Sequence, residues 1–356
     1  MPPITGKLQR VGFKKAATWN TAVAIGAGNE VSMLKGQTKR TAPVKVDESR
    51  GSSFSKDGTA GEIKAEAPYQ FNLRYIGLDV LIAMFMGIAG APAQQGATTA
   101  YKHIFKWNPD VYGLFVTIAK LMGSGTYIEE APTAKVSGLT LSGQVGSDPL
   151  QLAVDFIGSN KEVASSVNTL ATFASATLPT GANLNPVMFS HLVFRMNAAS
   201  GAALAGGDTI YPNKFTLSLK RNMAGKYTGQ YRTSGANPQD LIDEPTNEGN
   251  PELKLTLEFP THTSATYLTD LGNDSRKKLD VTATGAQIAA PYNFQHLLQM
   301  PHLQMEDDNV TDDDGRIVEP VNFILHGAAA APTGMTGITD PLWWTVINTR
   351  TTDALA

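Results

Sequence analysis

The side chains able to do chemistry are few and scattered along the 356 residues. The absence of cysteine removes disulfides, thiolate metal sites and cysteine nucleophiles. His103, His191, His262, His296, His302 and His326 lie far apart, except that His296 and His302 flank Met300-Pro301 and could share a turn. No G-x-S-x-G elbow, phosphate-binding loop or H-E-x-x-H pair is present, and Gly26-Ala-Gly28 is not completed to G-x-G-x-x-G. Such spacing fits individually satisfied or exposed imidazoles better than a catalytic set.

Among the carboxylates, the run from Asp307 to Gly315 is dense enough to offer oxygens to a cation. Aligning Gly315 with the glycine of an EF-hand loop puts Val310 at the first ligand position and Val321 at that of the bidentate glutamate. The pattern fails, and a hairpin turn closed by Asp314-Gly315 accounts for the same residues. Glu129-Glu130 and Asp243-Glu244 are adjacent pairs, which point to opposite faces of a strand rather than across a cleft. Trp107, Trp343 and Trp344 could stack on sugars or bases, although packing is the commoner fate of such rings. These residues assign no catalytic group, no cofactor and no metal ligand.

The elements that would position them are strands. Hydrophobic residues make up 42%, enough for a core, while charged residues reach only 17%, and 33 Gly and 20 Pro suit strands joined by long loops. The opening MPPITGKLQRVGFKK lacks the apolar core of a signal peptide. The apolar run Val80–Gly90 is too short to span a bilayer and reads as a buried helix, so no membrane is expected. Net charge is −3, but the two ends lean oppositely. Lys7, Arg10, Lys14, Lys15, Lys35, Lys39, Arg40, Lys45 and Arg50 stand in the first fifty residues. Glu306, Asp307, Asp308, Asp312, Asp313, Asp314 and Glu319 stand in the last fifty-one. Either the two meet between neighbouring copies, or both are unrelated solvated loops.

Alternation of period two recurs at 61–67, 150–156, 214–220 and 252–259, the pattern of half-buried antiparallel strands. The element order is written twice. The first half gives a strand pair at 31–48, a strand at 61–67, a helix near 76–87, a strand at 101–107 and a hairpin at 135–158. The second gives 213–234, 251–259, a helix near 263–273, 277–284 and a hairpin at 293–327. In this alignment Glu62 and Lys64 match Glu252 and Lys254, and Phe156 matches Phe323. The stretch 159–186, rich in Ser, Ala, Thr and Asn, reads as a long crossover or surface loop.

In this order the pieces resemble a known family. They are Ala17-Thr-Trp-Asn-Thr-Ala-Val23, a basic Pro-containing arm, a Gly-Glu-Ile strand leading to a helix ending Met86-Gly87, and Tyr101-Lys-His-Ile-Phe105. Pro149–Gly158, Lys214–Leu219, Asn250–Phe259 and Gly315–Phe323 follow. The chain is similar, over nearly its whole length, to the tail tube proteins of long-tailed bacteriophages, in which Gly usually stands in place of Asn20. The resemblance implies a mainly β chain of two tandem tail-tube-type β-sandwich or half-barrel domains, each with a flanking α-helix. Residues 1–175, with the N-terminal arm, would form the first, and 176–356, with a C-terminal extension, the second.

The resemblance also implies a structural protein of the virion tail, assembled in the host cytoplasm. It would polymerise into stacked rings around a channel for DNA and meet tail tip and tail terminator proteins. Rings of the family usually present six tube domains, so a duplicated chain would form a homotrimer with pseudo-sixfold symmetry, ahead of a hexamer with one lumen-facing domain per chain. Other readings are a sheath, decoration or capsid-associated protein, or a secreted β-sandwich carbohydrate-binding module. DNA would transit without specific binding, past the polar strand faces Glu62, Lys64, Glu66, Glu252, Lys254, Thr256 and Glu258. An outer sheet meeting solvent is the other arrangement that periodicity allows.

Overall fold

The computed structural model describes residues 9–46, 58–123, 127–146, 149–181, 186–227, 241–261, 266–308, 310–313 and 316–356. The fold is mainly β. Hydrogen bonds link 22 strands into one sheet, beside two-stranded ribbons and the helices Asp79–Met86, Leu170–Ser175 and Thr266–Gly272. No barrel closes among the described residues.

Two antiparallel ladders build the sheet. In the first, Arg10–Ala16 pairs with Phe115–Leu121, which pairs with the early part of the long strand Ile128–Gln144. The later part of that strand pairs with Gln151–Gly158. This in turn pairs with Lys64–Glu66 and Tyr69–Asn72, which carry Lys39–Thr41 and Lys35–Gly36 on their far side. In the second ladder the order is Leu192–Ala198, Arg276–Ala289, Tyr292–Asp308, Arg316–Leu325, Glu252–Phe259 and Lys214–Lys220. The ladders are fused by one junction, in which Gly138↔Lys220 through Gln144↔Lys214 pair edge to edge.

Both long strands are bent by bulges. Between Phe115–Leu121 and Ile128–Gln144 the register shifts from Val116↔Ala134 to Ile118↔Ala131. Between Arg276–Ala289 and Tyr292–Asp308 it shifts from Lys277↔Leu303 to Leu279↔Met300. Later, Val136↔Phe156 gives way to Gly138↔Asp155, and Met305↔Phe323 to Asp307↔Asn322. Each bulge adds local twist to its strand.

The alternating segments are strands as expected, and the apolar run at 80–90 forms the buried helix Asp79–Met86, ended by Gly87 at φ 92°. Asn20 takes φ 60°, the left-handed conformation that glycine would adopt freely and asparagine tolerates. Other expectations are corrected. The segment 31–48 gives only short strands, and Pro68 divides Lys64–Glu66 from Tyr69–Asn72. The stretch 159–186 is no plain loop: Thr169 caps the helix Leu170–Ser175, and Phe173 buries against Ile25, Ala119 and Ile128. Phe115–Leu121 escaped the period-two reading because all of its residues are buried.

Buried polar groups lock the ladders together. Arg221, which follows the junction strand, is 3% exposed. Its guanidinium donates to the carbonyls of Phe85 (2.9 Å) and Asn108 (2.7 Å) and lies 3.9 Å from the centroid of the Trp107 ring. It thereby satisfies carbonyls at the end of the first-half helix, and burial lowers its pKa to about 10. Lys135 and Glu244, both buried, pair at 2.6 Å, and Glu244 also accepts from the backbone N–H of Gly113 at 3.0 Å.

His296 is buried with both ring nitrogens used. Nδ1 accepts from the Trp344 indole at 3.1 Å, so Nε2 carries the proton and donates to the Arg74 carbonyl at 3.1 Å. His296 and His302 therefore lie on one extended strand, Tyr292–Asp308, rather than in a shared turn.

Two outcomes follow from these locks. Arg221→Met will lower the unfolding free energy by about 3 kcal/mol, because several carbonyls lose a charged donor at once. Arg221→Lys will recover only part of this, since one ammonium cannot reproduce the planar fork. Denaturant midpoints check both, and a wild-type midpoint for the Met variant would refute the lock. For His296, burial lowers the pKa from 6.5 to about 4. The folded value lies below the unfolded one, so this stabilisation is present above pH 6.5 and is lost as pH falls towards 4, by about 3 kcal/mol in all. His296→Gln, which keeps one donor and one acceptor, should flatten that part of the pH dependence of the unfolding midpoint.

Candidate functional site

The feature that both ladders share is a single polar face. Across the junction, Lys214, Thr216, Ser218 and Lys220 stand beside Gln144, Ser142, Thr140 and Gly138 on one side. On the other they stand beside Glu258, Thr256, Lys254 and Glu252. The face continues through Asn322 and Asp307 at one end. At the other it continues through Gln151, Ala153 and Asp155 to Gln70 and Glu66, then Lys35, Lys39 and Thr41. The intervening residues point the other way into the core: Leu139, Leu141, Phe215, Leu217, Leu253, Leu255 and Phe323 are all buried. Period two alone dictates this division, since any strand in register shows the same parity as its neighbour.

Hydrogen bonds and ion pairs run along the polar face. Lys254 donates to Glu306 at 2.7 and 2.9 Å, which holds its pKa above the ordinary lysine value. Lys214 sits 3.6 Å from Glu258. The Thr256 hydroxyl donates to Asn322 at 2.6 Å, and the Asn322 amide donates to Asp307 at 2.6 Å. Gln70 donates to Gln151, and Lys39 lies across from Glu66. Burial pushes the Asp155 carboxyl up, opposed by Lys220. Positive and negative groups thus alternate, and no large field of one sign develops.

Of the polar residues singled out in sequence, Lys64, Glu66, Glu252, Lys254, Thr256 and Glu258 fall on this face, and Glu62 precedes the paired strand Lys64–Glu66. Glu62, Lys64, Glu66, Glu252 and Lys254 are exposed, and Thr256 and Glu258 half-buried. Register pairs Ile157 with Glu66 in one ladder and Ile324 with Lys254 in the other. Sequence reading missed the contribution of Gln144, Ser142, Thr140, Gln151 and Asp155, although their alternation with Leu139, Leu141, Leu152 and Val154 was visible.

Several of the groups able to do chemistry are tied to internal partners. Glu129 pairs with Lys161 at 2.7 Å, Glu130 accepts from the Asn168 amide, and Glu244 is held by Lys135. Trp344 is buried against His296, Trp107 lies under Arg221, and Trp343 donates to Asp340 at 2.7 Å beneath Lys106. A cleft of ≈ 680 Å³ borders Tyr101, Thr349 and Arg350. Behind it, His103 bonds the Arg350 carbonyl at 3.0 Å, and Asn348 contacts the buried Asp79 at 3.4 Å. That network holds the start of the helix Asp79–Met86 against the strand Trp343–Asn348.

In the acidic run, Thr311–Asp313 pairs with the start of Arg316–Leu325, a hairpin as expected. The turn residues Asp314 and Gly315 lie outside the described residues, as do Lys7, Arg50 and His262. No group of three potential metal ligands occurs among the described residues. No helix among them is long and apolar enough to cross a membrane.

No curated protein matches the chain. A family model described as phage tail tube protein matches residues 6–346, a span that contains both ladders, their junction and the whole polar face. The chain therefore belongs to the phage tail tube protein family, structural proteins of the virion tail that self-assemble into a tube.

Proposed function

We propose that this chain forms stacked rings of three copies whose polar sheet face lines a channel for the passage of DNA. The observation that carries the reading is the continuity of that face across two ladders of matching construction. The pairing order of the first ladder recurs in the six strands given for the second, whereas Tyr101–Trp107, joined to the second ladder through Trp343–Asn348, has no counterpart. The bulge at Val116/Ile118 has its counterpart at Lys277/Leu279, and the bulge at Val136/Gly138 at Met305/Asp307. Similar composition explains shared strands but not shared irregularities at corresponding positions.

These registers support two tube-type units, 1–175 and 176–356, within one chain. They equate Phe156 with Phe323, as in the sequence alignment, but Glu66 with Lys254 and Lys64 with Glu252, two residues from that alignment. The counterpart of Arg276–Ala289 is Phe115–Leu121 rather than 101–107. Two units per chain make three copies the natural complement of a pseudo-sixfold ring.

A channel for duplex DNA, which carries one negative charge per roughly 1.7 Å, works best with a wall that does not grip phosphate. The polar face suits this, because Lys254 and Lys214 already have carboxylate partners in Glu306 and Glu258. The role is structural, without catalysis, cofactor or metal. Commitment of Glu129, Glu130, Glu244, His103 and His296 to internal partners supports that reading.

Cryo-EM of assembled tubes tests the ring. Three chains per ring with superposable halves are expected, and six chains each presenting one unit would overturn the duplication. The lining is tested in virions carrying Glu62→Lys, Glu66→Lys, Glu252→Lys and Glu258→Lys together. Their DNA ejection should slow markedly at low salt and recover at high salt. Ejection at the parental rate, or these side chains on the outside of the tube, would remove the polar face from the channel.

A further inference from the structure

Along the first part of Tyr292–Asp308 runs the short strand Trp343–Asn348, from Gln295↔Ile347 to Gln299↔Trp343. Its other edge carries Tyr101–Trp107, from Tyr101↔Asn348 to Lys106↔Trp343. One strand late in the chain is therefore hydrogen-bonded to the second ladder on one side and to a strand from the first half on the other. Tyr101–Trp107 is in turn held to the first half. It pairs with Gly87–Ala89 at the end of the helix Asp79–Met86, and Trp107 packs edge-on against Phe85. Leu81 and Phe85 of that helix lie in one core with Val11, Phe13, Val136 and Leu139 of the first ladder.

Apolar burial anchors the strand as well as its ladders, since Leu342, Trp344 and Val346 are wholly buried. The residues after it fasten it further. Asn348, also wholly buried, donates to the Tyr75 carbonyl at 3.1 Å and accepts from the Arg350 backbone N–H at 2.9 Å. The Arg350 guanidinium stands 3.8 Å from the buried carboxylate of Asp79, and the Arg350 carbonyl accepts from His103 at 3.0 Å. Ala354 is buried, and the Leu355 carbonyl accepts from Lys15 on the strand Arg10–Ala16. The segment thus begins on the second ladder and ends on the first.

A tie at that place has a mechanical consequence. At the junction the ladders meet through a single strand pair, and the twist between paired strands varies widely. A second tie, separated from the first by Tyr292–Asp308, Arg316–Leu325 and Glu252–Phe259, removes that freedom. Tyr75 also leans on Phe294 and His296, but His296 is itself held by the indole of Trp344. We propose that the segment Leu342–Leu355 is a strap that sets the angle between the two ladders, and with it the curvature that each copy brings to a closed assembly. This goes beyond the proposed ring, because it concerns the shape of one chain whatever number of copies assembles.

The lack of cysteine makes a distance measurement direct. Val163, paired to the first ladder, and Val193, in the second, are 48% and 47% exposed and can carry spin labels as Val163→Cys/Val193→Cys. Chains labelled in this way and diluted with unlabelled protein should give one narrow distance distribution by double electron–electron resonance. A chain ending at Asp340 should give a broad, shifted distribution. So should full-length Val346→Pro, which removes an N–H from the middle of a strand paired on both sides. A synthetic peptide of residues 341–356 should narrow the distribution of the shortened chain again.

A narrow, unshifted distribution in either variant would overturn the strap, as would a broad one in the intact chain. Should neither variant fold, the peptide added during refolding of the shortened chain decides: recovery of the narrow distribution supports the strap, and failure to recover it overturns the proposal. The readout needs no ring, so a different number of copies per ring would overturn the proposed ring and leave the strap standing.

Discussion

The junction between Gly138–Gln144 and Lys214–Lys220 is the interaction on which the rest of this structure depends. Without it there would be two modest ladders, each with an uncovered edge. With it there is one sheet with a continuous wet face and a continuous dry one. The pairing supplies backbone hydrogen bonds, but backbone bonds alone contribute little net stability in water. Burial of Leu139, Leu141, Leu217 and Leu219 beneath the joint gives it its driving force. Arg221 then fixes its end against the helix Asp79–Met86.

This arrangement explains where the polar chemistry of the chain has gone. Charged groups that a sequence reader would test for catalysis serve as ties between elements far apart in the chain. Lys135 reaches Glu244, Arg10 reaches Glu30 and the Ala176 carbonyl, and His296 joins Trp344 to Arg74. Each tie leaves its buried members hydrogen-bonded, the condition under which a buried polar group is tolerated. On the wet face, Lys254 and Lys214 stand beside the carboxylates of Glu306 and Glu258. A surface of that kind attracts neither phosphate nor cation strongly, which suits the proposed conduit better than a binding site.

The arms show the same economy. The short ribbons Val44–Val46 with Gly58–Ala60, and Met223–Lys226 with Asp243–Asn247, extend the edge hairpins of the two ladders at corresponding places. Val44 and Val46 are exposed on the first of them, apolar side chains on a two-stranded ribbon with no core of its own. Isolated ribbons are marginal in water. A neighbouring copy would give them a surface to pack on.

The division between what was legible and what was not follows from the range of the forces involved. Periodicity is local, so the strands at 101–107, 151–158, 214–220 and 252–259 and their wet and dry faces could be read from residue types alone. The buried helix near 80 could be read for the same reason, as could the failure of the acidic run to meet a calcium loop. The left-handed conformation of Asn20 came from the structure alone. Fully buried strands such as Phe115–Leu121 were not, because a strand dry on both faces has no alternation. Nor were the partners of His296, Glu244 and Arg221, which come from segments far away in sequence. Composition and pattern by themselves determined a mainly β chain with a polar strand face and no catalytic set. Only the tertiary structure decided that the two ladders share one face, and which edges it leaves open, because strand pairing depends on backbone geometry that many side-chain sequences satisfy equally well.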